Sequence, residues 1–214
     1  MESDGSIRIV EERILTIDGI ISNSGLLTKT GTLILTAINT WTGGLSIDED
    51  EIQFDDLSNL GTSTTTLNGG ILIYTAFNED SASGEAVLGE NASVFSIQDS
   101  SSKFEISTDL AGAAGLTIQG DSTTELTGNN SGWSGDITVV SSTLELSEHD
   151  SLSIRKLTLN DSTLIVVPSG DLALDNFALT GTSSTIDVED PSGSVTISDD
   201  LTGPTNLNTT GSGK

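Results

Sequence analysis

The stretch NTWTGGLSI at residues 39–47 returns as NSGWSGDITV at residues 130–139, with one extra glycine before the tryptophan. Trp41 and Trp133 stand 133 − 41 = 92 positions apart, and that offset holds downstream. Ile52 and Phe54 meet Leu144 and Leu146, Leu60 meets Leu152, and TLNGGILI at 66–73 meets TLNDSTLI at 158–165. Upstream, TLILTAIN at 32–39 lies over TTELTGNN at 123–130 at an offset of 91. Self-similarity over such a distance marks an architecture of repeats, with copies at about 14–73 and 104–166.

Around these copies the apolar residues come in alternating pairs, among them Leu33 and Leu35, Leu45 and Ile47, Ile71 and Ile73, and Leu164 and Val166. Alternation at period two sends both members of a pair to one face of a strand. Successive pairs follow through turn-rich spacers such as PSGD and EDPSGS, and three steps make a coil of about 20 to 25 residues, within the range of solenoid repeats. Hairpin barrels want longer strands closed by Asn-Gly-type dipeptides, and only Asp18-Gly19 and Asn68-Gly69 come close. The pattern predicts an all-β chain, a right-handed parallel β-helix forming one elongated domain over residues 1–214. Residues 81–89 are interrupted by Gly and Ser and read as a protruding loop, and 205–214 read as a loose tail without a closing element.

Composition narrows the partners. Aromatic residues make up only 4% of the chain, which argues against one deep globular core. The net charge is −25, from 32 acidic against 7 basic residues. Nucleic acid needs a basic stripe to displace counterions, and anionic membrane surfaces repel such a chain. Calcium, basic protein patches and neutral glycans stay open as partners. Cysteine is absent, so neither a disulfide framework nor a thiolate metal site is expected. With no run of 18 apolar residues and no charged-then-apolar leader after Met1, the chain reads as cytosolic or as a piece excised from something larger.

Candidate sites are few. Gly43, Gly44 and Gly135 suit coil corners that refuse a bulky side chain. Trp41 and Trp133 are expected to wedge the end of a coil just before a strand. Asn39, Asn68, Asn130 and Asn160 suit turns in which the side chain bonds its own backbone, or ladders from coil to coil. Together with Gly69 these residues read as scaffold. His149, the sole histidine, lies in the polar corner SEHDS, and no Gly-x-Ser-x-Gly elbow accompanies it. Lys29, Lys103, Arg155 and Lys156 are too scattered to hold an anionic sugar chain. Asp48, Asp50, Glu51, Asp55 and Asp56 gather enough hard oxygen to suggest a Ca²⁺ site, yet they lack the EF-hand spacing, and a solvated turn explains them better. No catalytic residue and no cofactor is expected.

The sequence GLLTKTGTLILTAINTWTGGLSI at 25–47, running on to LGTSTTTLNGGIL at 60–72, resembles the passenger-associated repeat of bacterial type V autotransporters. Thr28, Lys29, Thr30, Gly31, Asn39, Thr40, Trp41, Thr42, Gly43, Leu67, Asn68, Gly69 and Gly70 match its pattern directly. The second copy departs from it, with Gln119 where lysine is usual and Asp161 and Ser162 in place of the glycine pair. The resemblance implies a β-helical passenger exported through the outer membrane to the cell surface, with a membrane barrel elsewhere in the full protein. It implies a non-enzymatic adhesin or scaffold that serves adhesion, self-association or biofilm formation. Its partner would be a surface protein, a glycan or the chain itself. A segment that promotes folding and export is the alternative within that family, and a β-helical polysaccharide-processing enzyme is the alternative outside it.

Overall fold

The computed structural model describes residues 5–8, 13–22, 24–75, 80–82, 86–98, 103–107, 109–147, 156–167, 170–198, 200–201 and 205–214. The chain starts with β1 (Gly5–Arg8), β2 (Ile14–Ile17), β3 (Leu27–Thr30), β4 (Thr32–Leu35), β5 (Leu45–Asp48) and β6 (Glu51–Phe54). A 3-10 turn at Leu57–Leu60 leads to β7 (Thr65–Asn68), β8 (Ile71–Tyr74), β9 (Asp80–Ala82), β10 (Ala86–Leu88), β11 (Ser93–Ile97) and β12 (Lys103–Ile106). β13 (Leu110–Gly112), β14 (Leu116–Gln119) and β15 (Thr123–Leu126) precede a second 3-10 turn, Asn130–Gly132. Then come β16 (Ile137–Val140), β17 (Thr143–Leu146), β18 (Leu157–Asn160), β19 (Thr163–Val166) and β20 (Asp171–Leu174). β21 (Phe177–Thr180), β22 (Ser183–Val188), β23 (Ser194–Ile197) and β24 (Asn206–Gly211) complete the order.

Each strand pairs in parallel with strands one coil away, so the chain is the β-solenoid that the alternating pairs predict. A first sheet runs β1-β3-β5-β7-β10-β13, a second β2-β4-β6-β8-β11-β14-β16-β18-β21, and a third β9-β12-β15-β17-β19-β22-β24. β20 and β23 pair separately. The coil length read from paired residues runs from 32 − 14 = 18 (Ile14 with Thr32) to 104 − 80 = 24 (Phe104 with Asp80).

The core is a set of rows rather than a ball. Leu33, Ile52, Leu72, Phe95, Ile118, Val139, Leu159 and Leu179 follow one another rung by rung inside the second sheet. The first seven of these are buried, and full burial of one such side chain is worth about 1.5–3 kcal/mol. Where the third sheet begins, Phe54, Tyr74, Phe104 and Phe95 pack ring on ring, with centroids 5.4, 4.8 and 4.6 Å apart in turn. These rings fill the interior at the level where three sheets replace two.

The two repeat copies do not sit on the same faces. β5, β6, β7 and β8 lie in the first and second sheets alternately, whereas their counterparts β16, β17, β18 and β19 lie in the second and third. From Leu45 the first sheet passes through Thr65, Ala86 and Leu110. A bridge between Gly112 and Trp133 then sets Ser131 opposite Leu110, four coils on from Leu45. The offset of 92 is therefore 131 − 45 = 86 residues of whole coils plus 6, and the six carry the motif round to the next face.

Two expectations are corrected. Of residues 81–89, Ser81 and Ala82 belong to β9 of the third sheet and Ala86–Leu88 form β10 of the first, while 83–85 lie outside the described residues. The expected loose tail over 205–214 contains β24, which pairs with β22 over six residues. Its pattern is polar and faces solvent, so apolar alternation could not reveal it.

Candidate functional site

Built from the residues upward, the repeat motif is a set of buried corners. Asn39 and Asn130 are 1% and 0% exposed. Asn39 Oδ1 accepts the backbone N–H of Ile21 at 2.7 Å, and Asn130 Oδ1 accepts that of Leu110 at 2.9 Å. Asn39 Nδ2 donates forward to Asn59 O at 2.7 Å, and Asn59 Nδ2 donates back to Ala37 O at 3.1 Å. Of the two expectations for these asparagines, bonds to their own backbone or ladders from coil to coil, the side chains of Asn39 and Asn130 lie nearer the second, since they link neighbouring coils. A buried corner exposes peptide groups that no sheet pairs, and a carboxamide satisfies one donor and one acceptor at once.

Trp41 and Trp133 are both buried. Trp133 Nε1 donates to Ala114 O at 2.8 Å, whereas the Trp41 ring turns to the following coil and packs over Gly61. A Cβ at Gly43 would stand 2.2 Å from Gly25 O, and one at Gly135 would stand 1.8 Å from Ala114 O. Glycine at these positions lets the chain pass against the carbonyl of the coil before it.

Lys29, read from sequence as one of several scattered cations, is 1% exposed. Its ammonium donates to Gly31 O at 2.8 Å, Glu51 O at 2.9 Å and Glu49 O at 3.3 Å. Burial pulls this amine down to about 8, and the charges of Asp50 and Glu51 hold it from falling further. The Thr-Lys-Thr-Gly motif therefore encodes an internal cap for the β3–β4 and β5–β6 corners. A lysine amid alternating Thr reads from sequence as solvent-facing, and only the inward phase of Leu27 hinted otherwise.

The proposed Ca²⁺ ligands serve the same corners. Asp50 Oδ2 accepts Gly31 N–H at 2.6 Å, and Asp48 accepts from Ser46 Oγ at 3.0 Å and Asn68 Nδ2 at 3.2 Å. Asp56 caps the 3-10 turn by accepting Ser58 N–H at 2.8 Å, while Asn59 Oδ1 accepts Asp55 N–H at 3.2 Å and Asp56 N–H at 3.0 Å. Glu51 gives its carbonyl to Lys29. Among the described residues no three acidic or histidine side chains gather as metal ligands do. His149 and Arg155 lie outside the described residues.

At the corner that pairs with Asn68-Gly69, Asn160 leads into Asp161. Gly69 has φ 86° and Asp161 has φ 52°, so the second copy keeps the left-handed turn without the glycine. Asp161 Oδ1 accepts Thr182 N–H at 2.6 Å, Thr182 Oγ1 at 2.8 Å and Ser183 N–H at 3.0 Å. Asn68 Oδ1 fills a similar place in the first copy by accepting Glu90 N–H and Asn91 N–H at 3.0 and 3.1 Å.

The outer faces differ sharply in charge. On the third sheet, Glu105, Glu125 and Glu145 stand rung above rung. Lys103 spans the last two at 2.8 and 2.9 Å. Burial opposes the charge on Lys103, but the two carboxylates outweigh it and hold the ammonium above the usual amine range. Burial likewise opposes ionised Glu125, and Lys103 and Ser147 overrule it, so Glu125 sits below the usual carboxylate range. On the second sheet, one outward row reads Ile71, Val94, Thr117, Thr138, Thr158, Ala178. The row beside it reads Ile73, Ser96, Gln119, Val140, Asn160, Thr180. Neither row holds a charge.

The chain is similar to the protein named Adhesin BmaC autotransporter of Brucella suis biovar 1 (strain 1330), at 33% identity over 139 residues. The match covers 63% of this chain and 4% of that relative. The chain thus spans a small fraction of the length of the curated relative it matches. No family model matches the chain, and no solved structure matches it. The sequence match and the parallel β-solenoid are both consistent with the resemblance to autotransporter passengers on which the repeat motif was read.

Proposed function

We propose that this chain is a surface-exposed segment of a secreted passenger, non-enzymatic, with an adhesin-like role. One observation carries the reading: a match to an adhesin autotransporter falls on a solenoid whose apolar rows are sealed inside. What such a rod offers to a partner is its sides, where Thr and Glu recur on successive rungs. Each contact on such a side is shallow and worth little by itself. Many of them in register supply avidity once partner and rod align. Adhesion, self-association and biofilm formation all draw on this geometry.

Glu105, Glu125 and Glu145 on the third sheet, the natural place to look for hydrolytic chemistry, are engaged with neighbouring side chains. Lys103 holds Glu125 and Glu145, and Glu105 accepts from Thr127 Oγ1 at 2.8 Å. That engagement favours the adhesive reading over polysaccharide processing. The test is retention of host cells or matrix protein on a surface coated with the purified chain at graded density. Retention should climb more steeply than density, as multivalent contact requires. Absence of retention at every density would overturn the reading.

A further inference from the structure

We propose that the loop face of the first three coils docks a cationic amphipathic helix of a partner protein, laid along the axis of the rod. The inference rests on the reading of the chain as an adhesive surface rod and names the chemistry of its partner. It starts from apolar residues that the core leaves outside. Ile20 and Ile38 are 69% and 63% exposed. They stand one above the other. Thr36 N–H donates to Ile17 O and Thr40 N–H to Ile21 O, the same step of 36 − 17 = 40 − 21 = 19. The register therefore holds between these bonds, and Ile38 lies over Ile20 as Leu35 lies over Ile17. The next coil brings Leu57, half-buried, to the same stretch at the head of its 3-10 turn.

Carboxylates border this column. Asp18 precedes Ile20 by two positions, Asp55 precedes Leu57 by two, and Asp56 follows Asp55, all three exposed. Thr36 Oγ1 donates to Asp18 Oδ1 at 2.9 Å and joins the first two coils along this border. Segments 18–26, 36–44 and 55–64 hold these three carboxylates and no lysine or arginine.

Charge and spacing choose the occupant. Exposed aliphatic side chains beside carboxylates are met best by apolar side chains beside cations. Rungs of the rod repeat at about 4.8 Å and turns of a helix at about 5.4 Å, so over two steps the two drift apart by only about 1.2 Å. A helix along the rod thus sets its residues i, i+4 and i+7 on Ile20, Ile38 and Leu57, and its Lys or Arg beside them on Asp18 and Asp55. Other occupants fit worse. An anionic lipid surface or a second copy brings acid against acid. A sugar finds no ring to stack on, since Trp41 is buried beneath these loops.

Fluorescence anisotropy at low salt tests this, with a labelled peptide of about 14 residues as probe, built from Leu and Lys in that helical spacing. Saturable binding with Kd about 1–100 μM is the expected result. Ile20→Ser and Ile38→Ser should each weaken it about tenfold, the worth of one lost aliphatic contact. Asp55→Asn should weaken it less and lower its salt dependence. Asp200→Asn makes the same change in net charge at an exposed site outside the three loops and should leave binding unchanged. A peptide of the same composition with the spacing scrambled should bind about tenfold more weakly. Circular dichroism melting curves confirm that each variant folds.

Absence of binding up to about 1 mM would overturn the site. Equal binding of ordered and scrambled peptides, or equal losses from Asp55→Asn and Asp200→Asn, would reduce the attraction to net charge and overturn it too. So would a sedimentation mass above 22.1 kDa that Ile38→Ser abolishes, since a second copy would then hold the face. The same proteins are scored for retention of cells or matrix. Retention by a chain that ignores the peptide removes this site and spares the adhesive reading, and a chain that binds the peptide but retains nothing does the reverse.

Discussion

Asn39 and Asn130, buried 91 positions apart, each use the side-chain oxygen to accept a peptide N–H from the preceding coil, at 2.7 and 2.9 Å. Sequence likeness between the copies is thus likeness of corner chemistry, kept although the corners lie on different faces of the rod. Asn39 also donates to Asn59 O and so ties three successive coils. Replacing Asn39 with Ala removes one acceptor and one donor from a dry corner. Each buried group left unmet costs about 1–3 kcal/mol, so Asn39→Ala should cost about 2–6 kcal/mol. Urea midpoints measure it, and a loss under about 0.5 kcal/mol would mean that water replaces the side chain.

Lys29 gives the molecule an unusual dependence on alkaline pH. Burial sets its folded value at about 8, against about 10.4 for a free lysine. Between these values the unfolded chain holds the proton that the folded chain has released, so stability rises with pH across that window. Urea midpoints at pH 7, 9 and 10 should climb in the wild type, and Lys29→Met should flatten the climb. At pH 7 the same variant should be less stable by about 1–3 kcal/mol, because Gly31, Glu49 and Glu51 lose a shared donor. An unchanged pH slope in Lys29→Met would assign the effect elsewhere.

Much of the fold was legible because period-two alternation reports directly on an inward row. Leu33 and Ile52 announce their faces, and the Trp41–Trp133 offset announces the repeat. The expected inward pair Ile71 and Ile73 is corrected: in the all-apolar run ILIY the phase is ambiguous, and Leu72 and Tyr74 take the buried places. The shift by one face was hidden, since six extra residues look the same in sequence wherever they fall on a coil. β24 was missed because a terminal strand with one neighbour needs little apolar alternation, and Asn206–Gly211 has almost none. Lys29 was read only as one of several scattered cations, and Asn39 only as a turn or ladder residue. Their burial follows from corners, where peptide groups lack sheet partners and polar side chains take their place. The candidate site was harder still. A neutral face appears only once strands are assigned to sheets, because its residues are scattered over 180 − 71 = 109 positions of an acidic chain.

Lys103 holds together a column that would otherwise repel itself. Glu125 and Glu145 occupy successive rungs, and the ammonium lies within 2.9 Å of both. Its side chain is 37% exposed, so solvent screens much of the attraction. Lys103→Met should cost about 1 kcal/mol at low salt, and the loss should shrink as salt screens the carboxylates. Glu125 adds an acid limb of its own. Its folded value is depressed, so its contribution is complete above about pH 4.3 and is lost as pH falls through the folded value. In Lys103→Met that acid loss should be smaller, which thermal melts between pH 3 and 6 would show.

Asp161 shows how the second copy dispenses with a glycine, and the substitution can be tested by separating its two effects. A Cβ at φ 52° is strained, yet the carboxylate recovers three bonds from Thr182 and Ser183 on the next coil. Asp161→Ala keeps the strain and loses the bonds, whereas Asp161→Gly loses both. The order of melting temperatures should therefore place Asp161→Gly above Asp161→Ala, with the wild type highest at pH 7. The bonds from the Thr182 and Ser183 N–H groups and the Thr182 hydroxyl hold this carboxyl below its usual range. The unfolded chain takes up the proton first, near pH 3.9, so the advantage of the wild type holds above that pH and fades as the folded group is protonated. Melting the three proteins at pH 7 and again at pH 2.5 should show the gap between wild type and Asp161→Gly closing in acid. A gap of the same size at both pH values would mean that the turn owes its stability to backbone geometry alone.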